Sequence, residues 1–295
     1  MALDLANKGV STVRRRVGSA LFERVAGPDG PANRARIHGA PGPRWFAEDR
    51  PIRRVHGDAA MFVGGLRALL LQSLHPLAMA AVAEHSGYQS DPWGRLQRTS
   101  TFLAVTTFGT AEDAERAVAR VRGVHRRVSG VAPDGRAYRA SDPHLLGWVH
   151  VAEVDSFLRC HQRYGSQPLS PAECDGYLAD AAEIARRLGV LDPPVDQAGL
   201  VAALAAYRPE LARTAEAREA AQFLLRHPPL PMVARVPYAV LSANAVAMMP
   251  RWARGYLGLP YLPLAEATAV RAAGLGLVKT IRWAMNPPRD AGRAA

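Results

Sequence analysis

Lysine is nearly missing from this 295-residue chain. Only Lys8 and Lys279 occur, and arginine supplies the rest of the 37 basic residues. The formal net charge of +11 raises nucleic acids and anionic membranes as partners. The charge is dispersed, however. Its one dense run is Arg14-Arg15-Arg16, with no aromatic residue interleaved. A lysine deficit spread over the whole chain reads as coding bias, so nucleic-acid binding is not expected. Cysteine is also scarce. Cys160 and Cys174 form no C-x-x-C or C-x-x-C-H unit, which argues against zinc ribbons and covalently attached haem and suits a reducing, cytoplasmic compartment. No Gly-x-Gly-x-x-Gly or Walker-type loop occurs, so nucleotide-binding folds lack support. No apolar leader with a small-residue cleavage site is seen at the N-terminus. The best membrane candidate, residues 59–83, is interrupted by Arg67, Gln72, His75 and Pro76. It reads as two buried core helices, and no integral membrane span is expected. Residues 10–25 have the composition of a basic helix able to touch a membrane, with a plain surface helix as the preferred reading.

What the chain does contain is apolar periodicity. Hydrophobic residues make up 48%, aromatics only 7%, and alanine and leucine fill the periodic segments. Alternating β-branched runs are scarce, so the expected fold is all-α: a single large helical domain of roughly ten helices. An N-terminal basic helix near 11–25 and a Gly/Pro-rich linker over 27–43 precede it. The helical domain then covers 44–285, and a frayed tail covers 286–295. Within the domain, helices are expected near 58–74, 76–85, 92–107, 111–129, 142–164 and 170–188. Further ones follow near 197–206, 215–226, 238–249 and 264–284. Thr110 with Asp113, and more completely Ser170-Pro171-Ala172-Glu173, carry the residues of helix N-caps, and Gly189 supplies a stop. Residues 131–141, with Pro133-Asp134-Gly135, read as a turn or short hairpin.

Two segments carry the chemistry. Ala114, Val118, Val121, His125 and Val128 alternate spacings of four and three, the inward stripe of an amphipathic helix. An imidazole on that stripe must find either a hydrogen-bond partner or a metal. Preceding it, Arg95-Leu96-Gln97-Arg98-Thr99 puts two guanidiniums and a hydroxyl on another helix. Periodicity alone leaves that segment open between a solvated face and a pocket wall. Among the other histidines, His75 beside Pro76 reads as a helix-junction hydrogen bonder. His85, before Ser86-Gly87, reads as a distal acid/base at a pocket mouth. His150 and Glu153 lie one turn apart and suit a polar pair inside a core. His144 reads as loop and His161 as surface. Paired Glu-x-x-His motifs for a di-iron bundle do not occur.

A series of landmarks runs in order along residues 50–189. It comprises Gly64-Gly65-Leu66-Arg67, Leu70-Leu71-Gln72, His75-Pro76, Glu84-His85-Ser86 and Asp91-Pro92-Trp93-Gly94-Arg95 with Arg98-Thr99. Then come Phe108-Gly109-Thr110, Val121-Arg122 with His125, Tyr138-Arg139-Ala140, Asp142-Pro143, Leu145-Leu146 and Trp148-Val149-His150. Leu257-Gly258-Leu259 after Pro250-Arg251 matches in the C-terminal part. In these the chain resembles the MpaB/rubber-oxygenase catalytic domain family, which includes the latex clearing proteins.

That resemblance implies an all-α fold, a non-covalent b-type haem and oxidative chemistry with dioxygen on an apolar or natural-product substrate. It places the family's proximal iron ligand on His125. The family's distal Arg-x-x-Lys-Thr motif falls on Arg95, Arg98 and Thr99. Arginine stands where the family has lysine, and a guanidinium, unlike an amine, does not lose its proton to bind iron. A lysine-capped resting state is therefore not expected, and the distal position should be open or held by water. The family's distal glutamate base finds no counterpart of matching spacing; Glu84 is nearest. By this reading Thr99, Arg98 and His85 serve the reaction, while Arg95, Arg98 and Arg122 join His125 in holding the haem. The alternatives are a haem-dependent dehydrogenase or peroxidase-like oxidation without oxygen insertion, and a haem-binding protein without turnover. The electron donor is not indicated.

Overall fold

The structure, a computed structural model, describes residues 2–285, with side chains from residue 9 onward. The tail expected over 286–295 lies outside the described residues. Helices dominate. The one sheet among the described residues is a two-stranded antiparallel hairpin, β1 (Ser129–Val131) with β2 (Ala137–Arg139), paired Gly130 to Tyr138. The turn is closed by Gly135 at φ 84°, a left-handed conformation that favours glycine.

The centre is a pair of helices, α4 (Met61–Gln72) and α8 (Pro143–Tyr164). Their approach depends on Gly64. A Cβ there would sit 3.0 Å from Phe157 Cδ1 and 3.3 Å from its Cα. Arg67 on α4 is fully buried against α8. It donates to Asp155 Oδ2 at 2.7 Å, to Ser156 Oγ at 2.5 Å and to the Met248 carbonyl at 2.8 Å. Trp148 Nε1 donates to the Gln72 carbonyl at 3.0 Å and ties the far end of the pair.

Around this pair, α3 (Pro51–His56) and α9 (Pro171–Leu188) close one side through Ile52, Val55, Phe157, Tyr177 and Leu178. Helix α5 (Pro76–His85) departs from α4 at a bend of 108°. The linking His75-Pro76 removes a backbone donor, and His75 caps the new helix. Helices α10 (Gln197–Tyr207), α11 (Ala215–Arg226) and α13 (Arg251–Leu257) lie beyond, packed on Leu70, Leu71, Leu74 and Trp148. Helix α12 (Met232–Ala247) and the C-terminal helix α15 (Arg271–Met285) cover Val63, Leu66 and Cys160. The short α14 (Pro263–Ala265) leads into α15 through a π-helical turn, Glu266–Val270. No single helix among the described residues is long and apolar enough to cross a membrane.

A second layer is the hairpin of α6 (Pro92–Phe108) and α7 (Ala111–His125), backed by α1 (Ala2–Ala26) and α2 (Gly30–Gly39). Here local rules set the boundaries. Asp91 caps α6 by accepting from Gly94 N, with Pro92 in the first turn. Thr110 caps α7 through Asp113 N, and Ser170 with Glu173 forms a complete capping box on α9.

Three expectations change. The stretch expected to be a linker, 27–43, contains α2. Pro31 falls in its first turn, where the missing N–H costs nothing, and burial of Ile37 and the Arg36–Asp113 pair at 3.2 Å hold it. His161 is buried, not on the surface, because the loop after α8 folds back and its Gln167 carbonyl accepts from His161 Nε2 at 3.0 Å. His144 lies in the first turn of α8 rather than in a loop, since Pro143 starts the helix and Asp142 accepts its N–H.

Candidate functional site

The residues singled out in sequence divide into two groups. Arg95, Arg98 and Thr99 lie on the outward half of α6. Arg98 is exposed and paired with Asp91 at 3.1 Å, and Thr99 is exposed. Arg95 is half-buried and donates to Ser86 Oγ at 3.0 Å. Burial first, and the neighbouring Arg98 second, lower its pKa. His85 at the end of α5 meets the hairpin, its Nε2 lying 3.1 Å from Tyr138 Oη. The Tyr138 hydroxyl donates in turn to Glu84. Burial and that carboxylate push the phenol up to about 12, so it stays protonated and can accept from His85. Arg122 is exposed and reaches the Arg187 carbonyl at 3.5 Å. Among the described residues, His125 makes no hydrogen bond or ion pair with any of these.

His125 itself closes α7. Its Nδ1 is buried and has no hydrogen-bond partner among the described residues. Desolvation lowers its pKa, so the ring is neutral near pH 7, the form that ligates a metal. The same condition recurs deeper in the layer between the hairpin and α8–α9. His150 Nε2, His56 Nε2 and the Tyr177 hydroxyl are buried and also lack partners. His161 Nδ1 and Ser242 Oγ share this condition, so it is not confined to one place in the fold.

The last turn of α9 adjoins both α7 and α8: the Arg187 carbonyl accepts from Arg122 of α7, while Arg186 lies near enough to His150 to help depress its pKa. Burial is the larger cause there and brings His150 to about 4. One turn along α8, Glu153 has no hydrogen-bond partner among the described residues, and desolvation raises its carboxyl to about 7. Glu153 nonetheless keeps part of its surface accessible. Tyr177 faces that carboxylate, and its phenol is pushed well above 10 by burial and by Glu153. His56 stands edge-on to Tyr177 and Phe157 at 5.9 and 5.6 Å, is held neutral by burial, and bonds Thr107 Oγ1 through Nδ1 at 2.8 Å. Phe102 and Leu103 of α6 pack, partly buried, against the same core.

Sequence patterning marked His150 and Glu153 as a polar pair. It missed His56 and Tyr177. Tyr177 sits in the stripe Cys174, Tyr177, Leu178, Ala181, which reads as ordinary core, and His56 follows two arginines in a short helix.

The sequence that builds this helical fold belongs to a known class. The family described as ER-bound oxygenase mpaB/B′/rubber oxygenase, catalytic domain, matches residues 53–283, and the chain is a member of it. Two uncharacterised proteins, from Mycobacterium bovis and Mycobacterium tuberculosis, are each 35% identical to it over 100 residues, which is 34% of this chain. The match spans 38% of the length of each relative. No solved structure matches the chain.

Proposed function

We propose that this chain is a haem-dependent oxygenase acting with dioxygen on a small apolar or natural-product substrate. The observation that carries the reading is His125: a neutral imidazole with a buried, unpartnered ring nitrogen, in a chain of the oxygenase family. The residues present suit a b-type haem held by His125. By the family resemblance, the half-buried Arg95 and the exposed Arg98 and Arg122 would offer guanidiniums to its propionates, which such groups bind bidentately. The bound haem would supply the activation of dioxygen.

The chain's own residues do the rest. Phe102 and Leu103 bind apolar substrate and exclude water. Thr99 offers a hydroxyl donor on the exposed face of α6. Glu153, with its carboxyl near 7, holds or gives up a proton at its own oxygens at neutral pH, the range suited to general acid–base work. His85, hydrogen-bonded to Tyr138, is the acid/base at the outer end.

The test is an absorbance spectrum with a pyridine haemochrome assay on the wild type, His125→Ala and His150→Ala, each checked by circular dichroism. Expected is a Soret band in the wild type that is lost in His125→Ala with helicity retained. Loss in His150→Ala alone would move the ligand to His150. A wild type that binds no haem after incubation with haemin would defeat the reading. Isotopically labelled dioxygen, followed into product, separates oxygenation from dehydrogenation.

A further inference from the structure

Away from that interior, three chain segments converge at the junction of α4 and α5. His75 caps α5: its Nδ1 accepts from Ala78 N at 3.5 Å, which turns Nε2 towards Glu210 Oε2 at 3.4 Å. His144, in the first turn of α8, places Nε2 at 2.9 and 2.8 Å from the two Glu210 carboxylate oxygens. Glu210 ends the 3₁₀ turn Arg208–Glu210 after α10. The ligating atoms of the three residues all lie within 4.8 Å of one another.

We propose that His75, His144 and Glu210 form a binding site for a divalent cation of the zinc class, separate from the site between the α6–α7 hairpin and α8–α9. Two imidazoles and one carboxylate are the donor set that borderline cations such as Zn²⁺ take, with a fourth position left to water. Donors on a tetrahedral zinc stand about 3.3 Å apart, as two-ångström bonds require. The His75–Glu210 separation already fits, and the remaining adjustment falls on His144 and Glu210, which are 55% and 38% exposed and free to move.

The frame is preorganised. Ala212 N donates to the Leu74 carbonyl at 2.9 Å, which holds the segment after Glu210 beside His75. The His144 ring lies on Tyr207 at 4.8 Å, and the Tyr207 hydroxyl donates to the His144 carbonyl at 2.8 Å. His75 is 1% exposed beside Trp148 and cannot swing away. In the described state the proton on His75 Nε2 and that on His144 Nε2 face a single carboxylate. A cation replaces both, because a ligating nitrogen must be free of its proton. The nearest opposing charge is Arg136, which contacts Asp134 through its own side chain. Bound metal would pin three segments far apart in sequence, the starts of α5 and α8 and the end of α10.

The experiment uses the full chain, treated with chelator, dialysed and titrated with zinc chloride by calorimetry. One zinc per chain is expected. His144→Ala and Glu210→Gln should each weaken binding by at least about tenfold, since loss of even an outer-shell partner of a ligand costs about that much. His227→Ala, an exposed histidine outside the cluster, serves as the control and should bind as the wild type does. Both test positions are exposed enough for the variants to fold, which a melting curve without metal verifies. Absence of one-to-one binding in the wild type, or wild-type affinity in His144→Ala and Glu210→Gln, overturns the site. Haem content plays no part in the readout, so the outcome is independent of the oxygenase reading.

Discussion

The two faces of α8 solve the same problem in opposite ways. One face turns Asp155 and Ser156 to Arg67, and there every charge is matched: Asp155 Oδ2 takes Arg67 at 2.7 Å and Oδ1 takes Arg159 at 2.6 Å. The other face carries His150 and Glu153 towards α9 and the α6–α7 hairpin, where His150 Nε2 and the Glu153 carboxyl have no partners among the described residues. Both faces are polar and interior, so hydrophobicity does not distinguish them. What distinguishes them is whether the donors and acceptors are satisfied within the chain. Within the chain the first face is closed by hydrogen bonds and the second is not.

The sharpest way to break this contrast is to damage the satisfied face. Asp155→Ala strands a guanidinium that is 0% exposed and should destabilise the fold by about 3–5 kcal/mol, read from the urea midpoint. A loss below about 1 kcal/mol would mean that Ser156 and the Met248 carbonyl alone satisfy Arg67.

A smaller effect is expected from Glu153, and it depends on pH. Burial raises its folded-state pKa to about 7, above the ordinary carboxyl value of 4.5, so folding favours the protonated acid. The stability this gives is fully present below the unfolded carboxyl pKa and is lost as pH rises through about 7. Relative to Glu153→Gln, the wild type should lose on the order of 2–3 kcal/mol between about pH 4 and about pH 8. His56 and His150 have depressed pKa values, so their contribution is lost in the opposite direction, as pH falls below 6.5. They are present in both proteins and cancel in the difference. A pH-independent difference would place the carboxyl in water.

The smallest effect should be Tyr177→Phe. Its hydroxyl is buried without a partner, so deleting it should change stability by less than about 1 kcal/mol, with a rise in melting temperature the favoured direction. A cost above about 2 kcal/mol would show that the hydroxyl is bonded and that this face is satisfied after all.

Much of the scaffold was legible because its signals are local. Asp91-Pro92, Thr110 with Asp113, Asp142-Pro143 and Ser170 with Glu173 each fix a helix start within one turn, and α6 to α9 begin where those residues place them. Where tertiary contact decides, patterning failed. Helix α2 forms in a Gly/Pro-rich stretch because Ile37 finds a core and Arg36 finds Asp113. Helix α12 begins at Met232, ahead of Pro237, although the sequence pattern started it after that proline. The stripe around His125 was readable as inward-facing, and its ring nitrogen is indeed buried. That the Tyr177 hydroxyl and His56 Nε2 lack partners was not readable, since an apolar stripe does not say which of its polar members is left unbonded. Likewise, His144 and Glu210 are 66 residues apart and His75 and Glu210 are 135 apart, so no local pattern joins them.

The backing of α6 by α1 bears on local stability. Ser100 Oγ donates to the Val25 carbonyl at 2.6 Å, the Gln97 amide reaches the Arg24 carbonyl at 3.4 Å, and the Arg24 guanidinium lies over Trp93 at 4.4 Å. Further along, Arg14 Nε donates to the Trp283 carbonyl at 2.7 Å, which fastens α1 to α15. An outward swing of α6 must therefore carry α1 with it and strain the seam to α15. The layer that bears Phe102 is thus tied to both ends of the described chain, and its local stability is shared among three helices rather than held by one side chain.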